Sequence, residues 1–252
     1  MSTGIWSAAS GAVSKTTALD VASDNVANAM TPGFRAETAV FRQTLAQAVD
    51  KTKGTESQRY AITRTNVPYF KTGQIVSTGN ALDVAIPSDN GFFAIQTPQG
   101  ERYTRAGSFR MTHEGALVTP DGAPVLGENR QPIQVDPNQP NLRIDSEGQL
   151  ISGDTTTGTT TTHGKLLLVQ FDNLGGLQKE GSVLFRALPQ AGPPRAYEGG
   201  VADGSLENSN TTAVQSMSQL VTLSREFEMI TKVIEAFSQI DKKAATDIAS
   251  SR

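Results

Sequence analysis

Cysteine is absent from the 252-residue chain, which excludes disulfides, thiolate metal sites and a cysteine nucleophile. Histidine is nearly absent. His113 stands beside Glu114 in a turn-like stretch and His163 closes a threonine tract, so both read as solvated loop residues rather than general bases. No stretch approaches the roughly 18 consecutive apolar residues of a membrane helix, so no direct membrane insertion is expected. Met1 to Gly11 holds no basic residue and no apolar run of roughly 7–15 residues, so any export is expected to proceed without a cleaved leader. A charge excess is missing too: 22 Lys+Arg against 25 Asp+Glu leave −3, with no long-range pull on phosphate, and no nucleic-acid partner is expected.

Catalytic signatures are equally scarce. Gly158, Gly164 and Lys165 resemble a phosphate loop, but five residues separate the glycines where four are required, and Leu166 stands where a hydroxyl must reach magnesium. Neither a Gly-x-Ser-x-Gly elbow nor a Gly-x-Gly-x-x-Gly turn occurs. No enzyme activity, metal or cofactor is expected. Asn210-Thr211-Thr212 is formally a glycosylation sequon, yet Asn210 also reads as the cap of a helix.

What is present is an uneven distribution of Gly and Pro. All 12 prolines lie between Pro32 and Pro194, and no Gly or Pro follows Ser205. Because these residues break helices and punctuate turns, the chain reads as helix, turn-rich middle, helix. In the last segment Leu220, Leu223, Phe227, Ile230, Ile234 and Phe237 fall at alternating three- and four-residue steps, the seam of a coiled-coil helix. A helix from Thr211 to Ala249 would be roughly 58 Å long at about 1.5 Å per residue, longer than a compact domain of this size usually holds. Ile5, Ala12, Leu19 and Val26 make a weaker seven-residue repeat near the N-terminus, with Ala8, Ala22 and Ala29 three places on. Thr31-Pro32-Gly33 is expected to stop that helix.

Between Glu37 and Gly79 the pattern is polar, with a helical turn expected around Val40–Val49 and extended chain near Tyr60–Tyr69. From Leu82 onward short apolar stretches alternate with turns at Asp89-Asn90-Gly91, Glu114-Gly115 and Asp121-Gly122, which predicts an antiparallel β domain. Arg110–Thr119 and Arg143–Ser152 match as two hairpins around a Glu-Gly turn. The Thr155–Thr162 tract reads as an exposed loop. The expected architecture is α+β, with long N- and C-terminal helices as a coiled-coil pair flanking a central antiparallel all-β domain. The expected segments are a helix in 1–35, a connector in 36–79, a β domain in 80–204 and a helix in 205–252.

Asn25-Val26-Ala27-Asn28-Ala29-Met30-Thr31-Pro32-Gly33-Phe34-Arg35 resembles the N-terminal signature of bacterial flagellar axial proteins. Thr78-Gly79-Asn80-Ala81-Leu82-Asp83-Val84, Tyr103-Thr104-Arg105-Ala106-Gly107-Ser108-Phe109 and Gly115-Ala116-Leu117-Val118-Thr119 look like the β core of the rod and hook branch. Leu206-Glu207-Asn208-Ser209-Asn210, then Arg225-Glu226-Phe227-Glu228-Met229, are similar to its C-terminal signature.

The resemblance implies an exported structural subunit of the basal-body rod that spans the periplasm. Its partners would be copies of itself, other axial proteins and the flagellar export apparatus. Gly33-Phe34-Arg35-Ala36 and Phe227-Glu228-Met229 look most like the proximal rod, with the distal rod next and the hook less similar. The assembly interface is expected on the two heptad faces. A ligand-binding β-sandwich oligomerised by terminal helices is the reading from another class. It would call for an exposed aromatic cluster, and the single Trp lies at position 6.

Overall fold

The computed structural model describes residues 3–46, 58–137, 139, 141–154 and 159–250, which divide into two compact units. The first comprises residues 1–27, 37–67 and 213–252; the second comprises 28–36 and 68–212.

In the first unit α1 (Thr3–Ala27) packs against α2 (Ala213–Ser250), and β1 (Glu37–Ala46) pairs with β2 (Gln58–Pro68) as a two-stranded sheet. The helix α1 ends at Ala27, ahead of the expected Thr-Pro-Gly stop. A turn at Asn28 follows, in which Asn28 O accepts the Thr31 N–H at 3.0 Å. Where a helical turn was expected at Val40–Val49, strand β1 runs to Ala46, while Gln47 to Val49 lie outside the described residues. Thr38, Val40, Phe41 and Thr44 give this stretch β character, and a paired strand supplies the backbone partners that a lone helical turn lacks.

The second unit is β-rich. It holds β3 (Ile75–Ser77), β4 (Val84–Ala85), β5 (Gly91–Thr97), β6 (Gly100–Thr104), β7 (Arg110–Met111), β8 (Leu117–Val118), β9 (Leu142–Ile144) and β10 (Gln149–Asp154). It continues with β11 (Thr159–Lys165), β12 (Leu168–Gln170), β13 (Leu177–Glu180), β14 (Leu184–Ala187), β15 (Arg195–Ala196), β16 (Ala202–Asp203) and β17 (Ser205–Glu207). Six strands form an antiparallel sheet in the order β13-β14-β6-β5-β12-β15. Strand β5 is buried on both faces, which is why it reads Gly-Phe-Phe-Ala-Ile without polar alternation. Phe93 and Ile95 enter one core with Val84, Leu117 and Ile144, and Phe92 and Ala94 enter another with Phe171, Leu177 and Phe185.

The repeated hairpins are β7–β8 and β9–β10, each turning through a left-handed glycine, Gly115 (φ 81°) and Gly148 (φ 77°). Each bonds from residue one to residue five, Thr112 N–H to Ala116 O and Asp145 N–H to Gln149 O, the geometry of a three-residue loop. The same turn recurs at Thr119–Ala123 and, with Arg130 at φ 58° in the left-handed place, at Gly127–Gln131. Two closed rings of backbone bonds knit these loops to the sheet. Leu117 N–H donates to Ile133 O, Ile133 N–H to Val125 O and Val125 N–H to Leu117 O; Ala94, Leu167 and Leu126 repeat the pattern. Such rings satisfy buried polar groups where strands are too short for ladders.

The threonine tract is in part strand: Thr159–Thr162 belong to β11, paired antiparallel with β10, because consecutive β-branched residues suit a pleated edge. Thr155 to Gly158 lie outside the described residues.

Candidate functional site

Glu207 closes strand β17, whose pairing with β3 sets its carboxylate among residues far away in sequence. Arg105 donates to Glu207 Oε2 from Nε at 2.9 Å and from Nη2 at 2.6 Å. The Gly73 N–H donates to Glu207 Oε1 at 2.8 Å. Arg105 also donates from Nη2 to Ile86 O at 2.8 Å and from Nη1 to Gly91 O, which fixes its guanidinium. Burial lowers the Arg105 pKa, opposed by the Glu207 carboxylate. A second guanidinium arrives from the N-terminal motif: Arg35 Nη2 lies 2.6 Å from Glu207 Oε1. All three side chains are buried, with no more than 1% exposed.

The two arginines are not equivalent. Among the described residues the Arg35 Nε and Nη1 atoms meet no acceptor, and its contact with Glu207 is a charge contact without hydrogen-bond alignment. Buried unsatisfied donors cost about 1–3 kcal/mol each, so Arg35 is the strained member of the trio. Asp89, whose pKa is lowered chiefly by hydrogen bonds from Thr72 and less by the charges of Arg105 and Arg35, supplies a second anion at the solvent edge.

The backbone around Arg35 is held as closely as its side chain. Gly33 donates its N–H to Glu207 O at 2.7 Å and adopts φ 72°. A Cβ there would lie 2.3 Å from Ala106 N, so only glycine permits this approach. Phe34 is fully buried beneath the Lys179 ammonium, 4.0 Å from the ring centroid. Asn210 was expected to cap α2, but that helix begins at Ala213. Its carboxamide instead accepts from Ala36 N–H at 2.8 Å and donates to Tyr69 O and Lys71 O, while Tyr69 N–H donates to Ala36 O. Ala36, Tyr69 and Asn210, where three passes of the chain leave the β-rich unit, are therefore tied by one side chain. A backbone that needs Asn210 more than a cap does has captured it.

The seam residues of both helices lie in the first unit. Ile5, Ala12, Leu19 and Val26 on α1 are half-buried, as are Leu220, Leu223, Phe227, Ile230, Ile234 and Phe237 on α2. The most buried face of α1, formed by Ser14, Ala18, Val21, Ala22 and Asn25, shares only Ala22 with the expected repeat. An alanine-rich helix offers two narrow apolar faces, and hydrogen bonding by Ser14 to Ser10 O and by Asn25 to Glu37 distinguishes this one. Asn25 clasps Glu37 by accepting from its N–H at 2.9 Å and donating to its O at 2.8 Å. Lys15 and Glu226 pair at 2.5 Å, and Gly11 admits the Ile230 side chain. Arg225 and Glu228 are exposed on α2. So are large apolar residues on the two flanks of the seam: Val214 (81%), Met217 (54%) and Val221 (49%) on one, Met229 (58%), Val233 (47%) and Ile240 (62%) on the other.

No other cluster of the described residues gathers such chemistry. Among the described residues no group of three or more His, Asp or Glu side chains could hold a metal ion. Ser152 Oγ lies 2.7 Å from His163 Nε2, a half-buried cross-strand contact in which the Ser152 hydroxyl also bonds Gln139 Oε1. A cavity of about 250 Å³ beside Leu168 and Tyr197 offers Lys165, already paired with Glu128.

Three sequence profiles match this chain in order: "Flagella basal body rod protein" over residues 5–35, the D1 domain of "Flagellar hook protein FlgE/F/G" over 85–152, and "Flagellar basal body rod FlgEFG protein C-terminal" over 202–247. The chain is 33% identical to the flagellar basal-body rod protein FlgF of Rhizobium meliloti across 98% of each chain. It is 30% identical to FlgF of Caulobacter vibrioides, covering 90% of this chain and 89% of that one. The flagellar basal-body rod protein FlgG of Bacillus subtilis is 31% identical over 94% of this chain and 95% of its own. The chain belongs to the flagellar basal-body rod protein family. It is a structural rod subunit of the flagellar basal body, and the ionic hub joins the rod protein's three signature segments, at Arg35, Arg105 and Glu207, in one buried cluster.

Proposed function

We propose that this rod protein is a proximal-rod subunit that polymerises through its terminal helices, paired as a coiled coil, into a torque-transmitting, channel-containing drive shaft. The observation that carries this reading is the two-sided apolar character of α2. One face is half-buried in the single chain, and large apolar side chains stand exposed on its two flanks, Val214, Met217 and Val221 on one and Met229, Val233 and Ile240 on the other. Contiguous exposed apolar surface marks an interaction face. Repeated head-to-tail contacts between identical chains, if their rotation does not close, build a helical tube. The partners are copies of this chain and other axial proteins, delivered by the export apparatus; α1 and α2 form the axial core and the β-rich unit the outer domain.

The proximal assignment rests on Gly33-Phe34-Arg35-Ala36 and Phe227-Glu228-Met229, with the distal rod as the alternative. Val221→Asp and Val233→Asp test the interface, since a carboxylate at a closed apolar contact costs several kcal/mol. Both variants should fold and be exported yet fail to enter the rod. Normal incorporation of both would show that these flanks stay open in the assembly. Electron micrographs of basal bodies from a strain lacking the protein test the segment: growth should stall below the distal rod, and a complete proximal rod would assign the chain to the distal segment.

A further inference from the structure

The Glu207 carboxylate is held from within residues 68–212, by two Arg105 nitrogens and the Gly73 N–H, before Arg35 is counted. Arg105 is in turn fixed by Ile86 O and Gly91 O. Segment 28–36 adds to this finished arrangement one arginine with two donors that find no acceptor, one glycine laid on the Ala106 backbone, and one phenylalanine under Lys179. Counting charges shows which element depends on which. Without Arg35 the buried Glu207 and Arg105 form a neutral pair; with Arg35 the buried trio carries a net positive charge, and Asp89 answers it only from the solvent edge. Removing one partner of a buried pair leaves an uncompensated charge, which is strongly unfavourable. Arg35 is the member whose departure leaves none.

We infer that segment 28–36 is an intrachain peptide ligand, docked reversibly on a site that residues 68–212 of the β-rich unit form without it, with Glu207 as the recognition group for a glycine–aromatic–arginine sequence. The site binds the main chain as well, through Glu207 O to Gly33 N–H, Asn210 Oδ1 to Ala36 N–H and Tyr69 N–H to Ala36 O. The N-terminal motif thus has two states, seated and released, and only the seated one fixes where the chain leaves for β1. This latch belongs to the single chain and does not depend on which neighbours it meets.

Amide exchange on the full-length protein tests it, with Gly33 and Ala36 as reporters of docking and Leu117 and Val125, in the backbone ring, as reporters of the β core. In Arg35→Met, Gly33 and Ala36 should exchange at least about tenfold faster, while the core reporters stay within about twofold of the parent chain. Neither reporter bond involves the Arg35 side chain, so the acceleration reads release rather than a deleted bond. Glu207→Gln leaves two buried guanidiniums without a carboxylate and should speed exchange in the core as well. Asn210→Ala, which alters no charge, should accelerate Gly33 with the core again unchanged. Unchanged protection at Gly33 and Ala36 in Arg35→Met would overturn the latch. Equal loss at the reporters and the core in that variant would also overturn it, because the segment would then be part of the core.

Discussion

The two units of this rod protein solve opposite problems. In the β-rich unit the large side chains at the centre are closed off, and even ionic groups are buried: Phe92, Phe93 and Phe185 are 0% exposed, and Glu207 lies between Arg105 and Arg35. In the helical unit, among the described residues, the α2 seam is only half-covered and its flanks bear six large apolar side chains in the open. The lesson is where stability is meant to come from. The β-rich unit carries its own, whereas most helical stability in proteins comes from packing an amphipathic face, and α2 has more such face than α1 can cover.

Paired truncations should expose this contrast most sharply. Phe93→Ala removes a ring that packs edge-on against Phe109 at 5.3 Å and should cost about 3–5 kcal/mol in chemical denaturation of the monomer. The same change at half-buried Phe227 should cost the monomer well under half as much and act on rod incorporation. Comparable losses in the monomer would erase the distinction between the units.

Asn25→Ala sharpens it from the helical side. It deletes both bonds that clasp Glu37 and should destabilise the end of α1 by about 1–3 kcal/mol, read as faster exchange there with the β core unaltered. The smallest effect belongs to Lys15→Met. The Lys15–Glu226 pair is about one-third exposed on each side, so its loss should cost about 0–1 kcal/mol, and what there is should fade with added salt. A loss above that range, insensitive to salt, would mean the helices depend on charge rather than on apolar cover.

Local chemistry was legible in the sequence and long-range capture was not. The hairpins at Gly115 and Gly148 could be read because a left-handed glycine writes its own turn. The matching turn at Gly127–Gln131 stayed hidden because Arg130 occupies the left-handed place. Asn210 looks like a helix cap because a helical run follows it closely; its real partners, Ala36 and Tyr69, are more than a hundred residues away. Strand β1 was misread for the same reason, since its pairing with β2 is not a local property. The α2 seam is legible in its three- and four-residue steps, whereas the exposed apolar residues one position aside fall on its two flanks and form no single stripe. Arg35, Arg105 and Glu207 each stood within a signature run, yet nothing in their spacing announced that they meet.

Amide exchange along α2, first in a verified monomer and then in the assembled rod, tests most directly the claim that the helices are completed by neighbours while the β-rich unit is complete alone. Amides from Leu220 to Phe237 should exchange orders of magnitude faster than Leu117 and Val125 in the monomer, and become as slow as those two after assembly. Protection across Leu220–Phe237 equal to the β core in the monomer, unchanged on assembly, would contradict it.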